Sequence, residues 1–110
     1  MTNLVNVSVK ASGKSRSEWL ADKNFVYIGR ATRNGWKASP YRNPYRLQDQ
    51  SPEERLRIMI AYEADLLRKG DSALKEWLEP LAGKTLGCWC TPLPCHGDIL
   101  IKHLNRLGLE

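Results

Sequence analysis

Val5, Val7 and Val9 alternate with polar neighbours, and this period of two predicts a short strand over about residues 4–10. Residues 11–24 are mostly polar and carry the Ser12-Gly13-Lys14-Ser15 punctuation, with a helical turn expected around Trp19. Phe25-Val26-Tyr27-Ile28 is an unbroken aromatic and β-branched run that stops at Gly29, the pattern of a buried strand. From Arg30 to Gln50 the chain has no period and contains Gly35, Pro40 and Pro44, which predicts a long loop. Loops of that length in a small domain usually serve function.

Ser51-Pro52-Glu53-Glu54 is a helix start: Ser51 supplies the cap, Pro52 suits the first turn, and Glu54 stands where a capping box needs it. Leu56, Met59, Ile60, Ala64 and Leu67 follow at helical spacing, with Leu66 at the edge of the stripe. A second helix is predicted over about residues 72–79, turning Leu74, Trp77 and Leu78 to the core. Thr85 to Cys90 reads as a strand. A last helix opens at Pro94 or Cys95, buries Leu100, Leu104 and Leu107, and ends at Gly108.

Strand, helical crossover and strand make a βαβ unit, whose strands run parallel. The expected fold class is α/β: a small two- or three-layer, Rossmann-like domain with a short, mostly parallel sheet and flanking helices. Parallel strands at residues 25–29 and 84–90 would place Arg30 and Cys90 at one sheet edge. That edge is where open α/β sheets hold ligands.

The remaining composition narrows the class. A chain of 110 residues supports one domain, 1–110, and its 42% hydrophobic and 26% charged content is that of a globular protein rather than a disordered one. No apolar run approaches the ~20 residues of a membrane span, so no membrane partner is expected. Met1 to Val7 has neither the basic start nor the apolar stretch of a secretion signal, which predicts a cytoplasmic protein. The three cysteines are odd in number and bunched together, so reduced thiols in one neighbourhood are expected rather than a disulfide framework.

The net charge of +5 is concentrated. Arg30, Arg33, Lys37, Arg42 and Arg46 lie between Phe25 and Gln48 with no acidic residue among them, and the other twelve basic residues are matched by twelve acidic ones. Tyr27, Trp36, Tyr41 and Tyr45 are interleaved with these cations. Arginine with aromatic side chains suits phosphate and base recognition. The simpler alternative is a solvated loop whose aromatics plug the core.

All three cysteines and His96 fall between Gly83 and Asp98, in Cys88-Trp89-Cys90-Thr91-Pro92-Leu93-Pro94-Cys95-His96-Gly97-Asp98. Three chemistries are open. Cys88, Cys90, Cys95 and His96 match the ligand number of a structural zinc, although adjacent ligands at a helix start diverge by roughly 100°. Alternatively Cys95 or Cys90 is a reactive thiol beside His96, favoured by a helix N-terminus. In the third reading the cysteines are small packing residues under a ligand-binding turn built by His96, Gly97 and main-chain amides. Asp98 is expected to cap the last helix, and His103 to be an ordinary helix residue.

Val26-Tyr27-Ile28-Gly29-Arg30, Asn43-Pro44-Tyr45, Gly83 to Cys90 and Pro92 to Asp98 together resemble the domain-of-unknown-function 4326 family of bacteria and their phages, over about residues 25–107. The chain departs from the family's Trp-Gly-Asn-Pro stretch, since Arg42 precedes Asn43 and Trp36 lies upstream. The resemblance implies no established activity, so function is read from the residues. The leading expectation is the binding, and in an extended reading the chemical modification, of a phosphate-bearing small molecule such as a nucleotide at the carboxyl edge of the strands. Arg30, Asn43, Tyr45, Cys90 and Gly97 would bind it, with Tyr45 or Trp36 stacked on a ring. Arg30 would pair with an anion capping the last helix, and Cys95 and His96 would be the catalytic pair. The alternatives are a nucleic-acid-binding module with zinc held by the cysteines and His96, and a phage or host regulator acting through protein contacts.

Overall fold

The computed structural model describes all of residues 1–110. Three strands, β1 (Asn3–Asn6), β2 (Phe25–Tyr27) and β3 (Thr85–Cys88), form a parallel sheet in the order β1-β3-β2. Leu4 and Val26 flank Leu86, and Val5 and Tyr27 flank Gly87. The helices are α1 (Val9–Ser12), α2 (Arg16–Ala21), α3 (Pro52–Leu67), α4 (Asp71–Leu78) and α5 (His96–Arg106), with one 3-10 turn at Glu79–Leu81. The predicted α/β class and parallel pairing are therefore those of the structure. No helix is long and apolar enough to cross a membrane.

Side chains alternate across a strand, so the sheet has two apolar faces. Leu86, Cys88 and Ile28, with Leu4 and Val26, pack into the main core with Leu66 and Tyr62 of α3, Leu74 and Leu78 of α4, and Leu100 and Leu104 of α5. On the other face Val7, Trp19 and Trp36 are buried against Val5, Phe25 and Tyr27. Trp19 lies 4.9 Å from Phe25, and Trp36 stacks on Tyr27 at 4.4 Å, ring centre to ring centre.

Several boundaries differ from the sequence pattern. β1 stops at Asn6 rather than running to residue 10, because the Asn6 side chain accepts from the Ser8 amide and donates to the carbonyls of Trp89 and Thr91. Ser8 then caps α1, and Val9 is exposed. The turn expected near Trp19 is a full helix, started by a Ser15–Glu18 capping box. At α3 the Ser51 hydroxyl accepts from the Glu54 amide, but no reciprocal bond forms. The Ser51 amide donates to Asp49, and Glu54 instead accepts from the Gln48 amide. β3 ends at Cys88, leaving Cys90 in the turn beyond it.

The largest correction concerns the buried face of α3. Leu56, Ile60 and Leu67 of the expected stripe are 59%, 60% and 53% exposed. The helix is rotated so that Tyr62 and Leu66 are buried and Met59 packs against the core. Apolar residues surround much of this helix, so periodicity alone did not decide its orientation. Tyr62 decides it, donating to the Tyr41 carbonyl at 2.7 Å and meeting the His96 ring edge-on.

His103 is more than an ordinary helix residue. It is buried, its Nε2 lies 2.7 Å from Glu63 of α3, and its Nδ1 accepts from Arg106. Arg106 in turn pairs with Asp71 of α4, so one polar chain ties α5 to both other core helices.

A side chain at position 87 would disturb the sheet. A Cβ there would fall 2.5 Å from Val7 Cγ1 and as close to the Phe25 ring. Overpacking of this kind costs about 1–3 kcal/mol. Gly87→Ala should lower the free energy of denaturant unfolding by that amount, and an unchanged midpoint would refute the close packing of this face.

Candidate functional site

Because β2 and β3 are parallel neighbours, the chain leaves both at one edge of the sheet. There Gly29 and Arg30 after β2, and Trp89 and Cys90 after β3, open onto a cleft of about 340 Å³. Its volume lies within the range of small-molecule sites, roughly 300–1,000 Å³. Arg30, Asn43, Tyr45, Cys90, Cys95 and His96, all expected at a site, line it together. Cys88 lies at its buried end, while Arg46, Arg55, Ile58, Met59 and Pro94 complete the wall.

Two expected contributors are elsewhere. Trp36 is buried on the opposite sheet face, against Tyr27, and cannot stack on a molecule in the cleft. Gly97 is buried under Leu4, where even a Cβ would meet Leu4 Cδ1 at 2.5 Å. Its amide already donates to Cys95 Sγ at 3.2 Å. The start of α5 is also self-capped: the Cys95 amide donates to Asp98 Oδ2 at 3.0 Å, and the Asp98 amide to the Cys95 carbonyl. Asp98 thus has the capping role expected of it. No exogenous anion is needed to satisfy those amides, so the start of α5 is not the anion cap expected from the sequence.

The long loop from Arg30 to Gln50 is held by its own side chains. Trp89 Nε1 donates to the Tyr27 hydroxyl, which donates to the Arg30 carbonyl. The Arg30 guanidinium donates to the Tyr45 carbonyl at 2.6 Å. Asn43 accepts from the Tyr45 amide and donates to the Ile58 carbonyl of α3. Its side chain is therefore committed to joining loop and helix. The Tyr45 hydroxyl donates to Asp65, and the Tyr41 hydroxyl to the Trp77 carbonyl. Most of the loop's aromatics thus anchor it, and Tyr45 alone of them keeps its ring on the cleft.

The cleft is strongly cationic. Arg30 comes from the end of β2, Arg46 from the loop and Arg55 from the first turns of α3, and none of them forms an ion pair with a carboxylate. No aspartate or glutamate lines the cleft. Burial, then the like charges of Arg46 and Arg42, press the Arg30 pKa down. Arg55 escaped the sequence reading. It lies three and four residues before Ile58 and Met59, on the face that turns inward, and the misassigned stripe hid it.

The thiols are all free and gathered at the inner end of the cleft. Cys88 and Cys95 are buried, Cys90 is half-buried, and all three residues line the same cleft. The neighbouring Cys95 thiol draws Cys88 down to about 7 and Cys90 down to about 6, and the Arg55 and Arg30 guanidiniums act on Cys90 in the same direction. The same two thiols, together with burial, push Cys95 up, so it keeps its proton. Of the two thiols lining the cleft with Arg30 and Arg55, Cys90 ionises more readily than Cys95. His96 Nε2 lies 2.7 Å from the Ile28 carbonyl, to which it must donate, so the neutral ring presents Nδ1 at 4.0 Å from Cys95 Sγ. Burial lowers the His96 pKa and favours that neutral form.

The zinc arrangement is not built. No group of three or more His, Cys, Asp and Glu side chains is disposed to hold a metal ion. His96 directs one ring nitrogen at a backbone carbonyl, and Cys95 is engaged as the cap of α5.

The chain is 48% identical over 48 residues to an uncharacterized 12.4 kDa protein from the nrdA-td intergenic region of Enterobacteria phage T4. The match covers 42% of this chain and 44% of that protein, so the chain spans under half the length of the curated relative it matches. No solved structure was found to match. A family model described as a domain of unknown function, DUF4326, matches residues 11–106. With nearly its whole length under that match, the chain belongs to the domain-of-unknown-function 4326 family.

Proposed function

We propose that the cleft binds a phosphate-bearing small molecule such as a nucleotide. The observation that carries this reading is the convergence of Arg30, Arg46 and Arg55 on one concavity without a carboxylate partner. Like charges held together in a partly desolvated site raise its energy, and a polyanionic group relieves that cost. A guanidinium also presents a planar fork of donors that matches phosphate oxygens. Tyr45, Met59 and Ile58 supply an apolar and aromatic wall beside the cations, suited to a ring carried by the phosphate. The concave shape and the burial of Trp36 favour a small molecule over an extended nucleic-acid backbone.

Binding to inorganic phosphate, a nucleoside 5′-monophosphate and the matching nucleoside should be compared by calorimetry at low salt. The monophosphate should bind best and the nucleoside worst. Arg55→Ala and Arg46→Ala should each weaken monophosphate binding roughly tenfold, the value of one hydrogen bond to a charged group, without lowering stability appreciably. Arg30→Ala is a less clean test, because it also frees the Tyr45 carbonyl. Equal binding of nucleoside and monophosphate, or wild-type affinity in both variants, would refute the reading.

Nucleic acid should bind weakly and without sequence preference, and the complex should vanish near physiological salt as counterions recondense. A salt-resistant, sequence-selective complex in gel-shift titrations would reverse the choice between the two ligands.

A further inference from the structure

Anion binding leaves the cysteine cluster unexplained. A cytosolic-type thiol can serve packing alone, and Cys88, almost wholly buried among the leucines of the main core, does so. Cys90 does not fit that role. It lies beyond the end of β3, is only half-buried, and lines the cleft beside Arg30 and Arg55. Cys95 lines the same cleft, and His96 follows it with Nδ1 4.0 Å from the Cys95 sulfur. A half-exposed thiol between two cations, backed by a second thiol and a neutral imidazole, has the parts of a two-cysteine redox centre.

We propose that Cys90 is a site of oxidation by hydroperoxides, with Cys95 as the resolving thiol. In the first step the Cys90 thiolate attacks the distal oxygen of the peroxide. An S–O bond forms and the O–O bond breaks. The leaving oxygen departs with the electron pair and takes up a proton as water or an alcohol, steadied by the Arg30 and Arg55 guanidiniums. Cys90 is oxidised by two electrons to the sulfenic acid, and the peroxide is reduced by the same two. In the second step Cys95 Sγ attacks the Cys90 sulfur, forming S–S and breaking S–O. His96 Nδ1 accepts the Cys95 proton, and hydroxide leaves to become water. Two equivalents of a low-molecular-weight thiol restore the reduced pair.

The lowered pKa of Cys90 supports the first step, since the thiolate is the reacting form near neutral pH. The raised pKa of Cys95 assigns the order of events, because a thiol that keeps its proton is the second to react. None of this depends on phosphate binding, so the two readings stand or fall separately.

Reduced full-length protein should be treated with one equivalent of hydrogen peroxide under denaturant-free conditions and followed by intact mass. Wild type and Cys88→Ala should lose two hydrogens per chain, forming an intramolecular disulfide that a small thiol reverses. Cys95→Ser keeps a good helix-capping residue at that position. It should instead accumulate a sulfenic acid on Cys90, trapped by dimedone and located by fragmentation of the 85–102 peptide. Cys90→Ser should react at least tenfold more slowly than wild type. An equally fast reaction in Cys90→Ser, a dimedone adduct on Cys88 or Cys95, or a disulfide that forms only between chains would overturn the proposal.

Discussion

The parallel pairing of β3 with strands on both sides is the constraint from which the rest of the molecule follows. Leu86 and Gly87 are each matched by a residue of β1 and of β2 in the same register. A parallel ladder sends every strand out at the same edge, and each strand that leads to another must do so through a crossover. The crossovers here are unequal. The short one after β1 carries α1 and α2, and the long one after β2 carries the cationic loop, α3 and α4. The long crossover and the cysteine turn are therefore delivered to one place by backbone hydrogen bonding, before any side chain of the cleft is considered.

What the side chains add is an unbalanced electrostatic arrangement. Outside the cleft four carboxylates hold cationic partners: Glu63 with Lys102, Asp71 with Arg106, Glu54 with Arg57 and Asp65 with Arg68. No carboxylate lines the cleft beside Arg30 and Arg55, and their positive charge favours the ionised form of Cys90. The neutral His96 adds no further positive charge, because burial disfavours its protonated form. Cations without carboxylates and a thiol poised to ionise are consequences of one another, since each lowers the cost of the other.

The loop that carries Arg30 and Arg46 has no regular secondary structure, yet it is not left to solvent. Its carbonyls at Arg30 and Tyr41 accept from the hydroxyls of Tyr27 and Tyr62, its Tyr45 amide donates to Asn43, and the Tyr41 hydroxyl ties it to the Trp77 carbonyl of α4. A backbone whose amides and carbonyls are satisfied by fixed side chains keeps its cations in place without helix or strand. The aromatic residues interleaved with the arginines thus divide between two tasks. Trp36 and Tyr41 are buried as anchors, and Tyr45 remains at the cleft.

Much of this was legible in the chain by itself. The runs at Phe25–Ile28 and Thr85–Cys90, the Ser51-Pro52 start and the Gly108 stop are local signals, and each depends on chemistry within a few residues. The βαβ order implied parallel strands, and through them the meeting of Arg30 with Cys95 and His96 across some sixty residues. Three matters needed the tertiary structure. The orientation of α3 is set by Tyr62 against His96 and the Tyr41 carbonyl, and with it Arg55 turns into the cleft. Trp36 is drawn to the far face because Gly87 leaves room there for Phe25 and its aromatic neighbours. The choice of Cys90 over Cys95 as the ionising thiol arises from the neighbouring thiols and burial, which hold the proton on Cys95, and from the guanidiniums, which favour its loss from Cys90. Periodicity and caps report what a segment prefers alone. Packing among segments distant in sequence decides which of several acceptable faces is turned inward, and no local pattern contains that information.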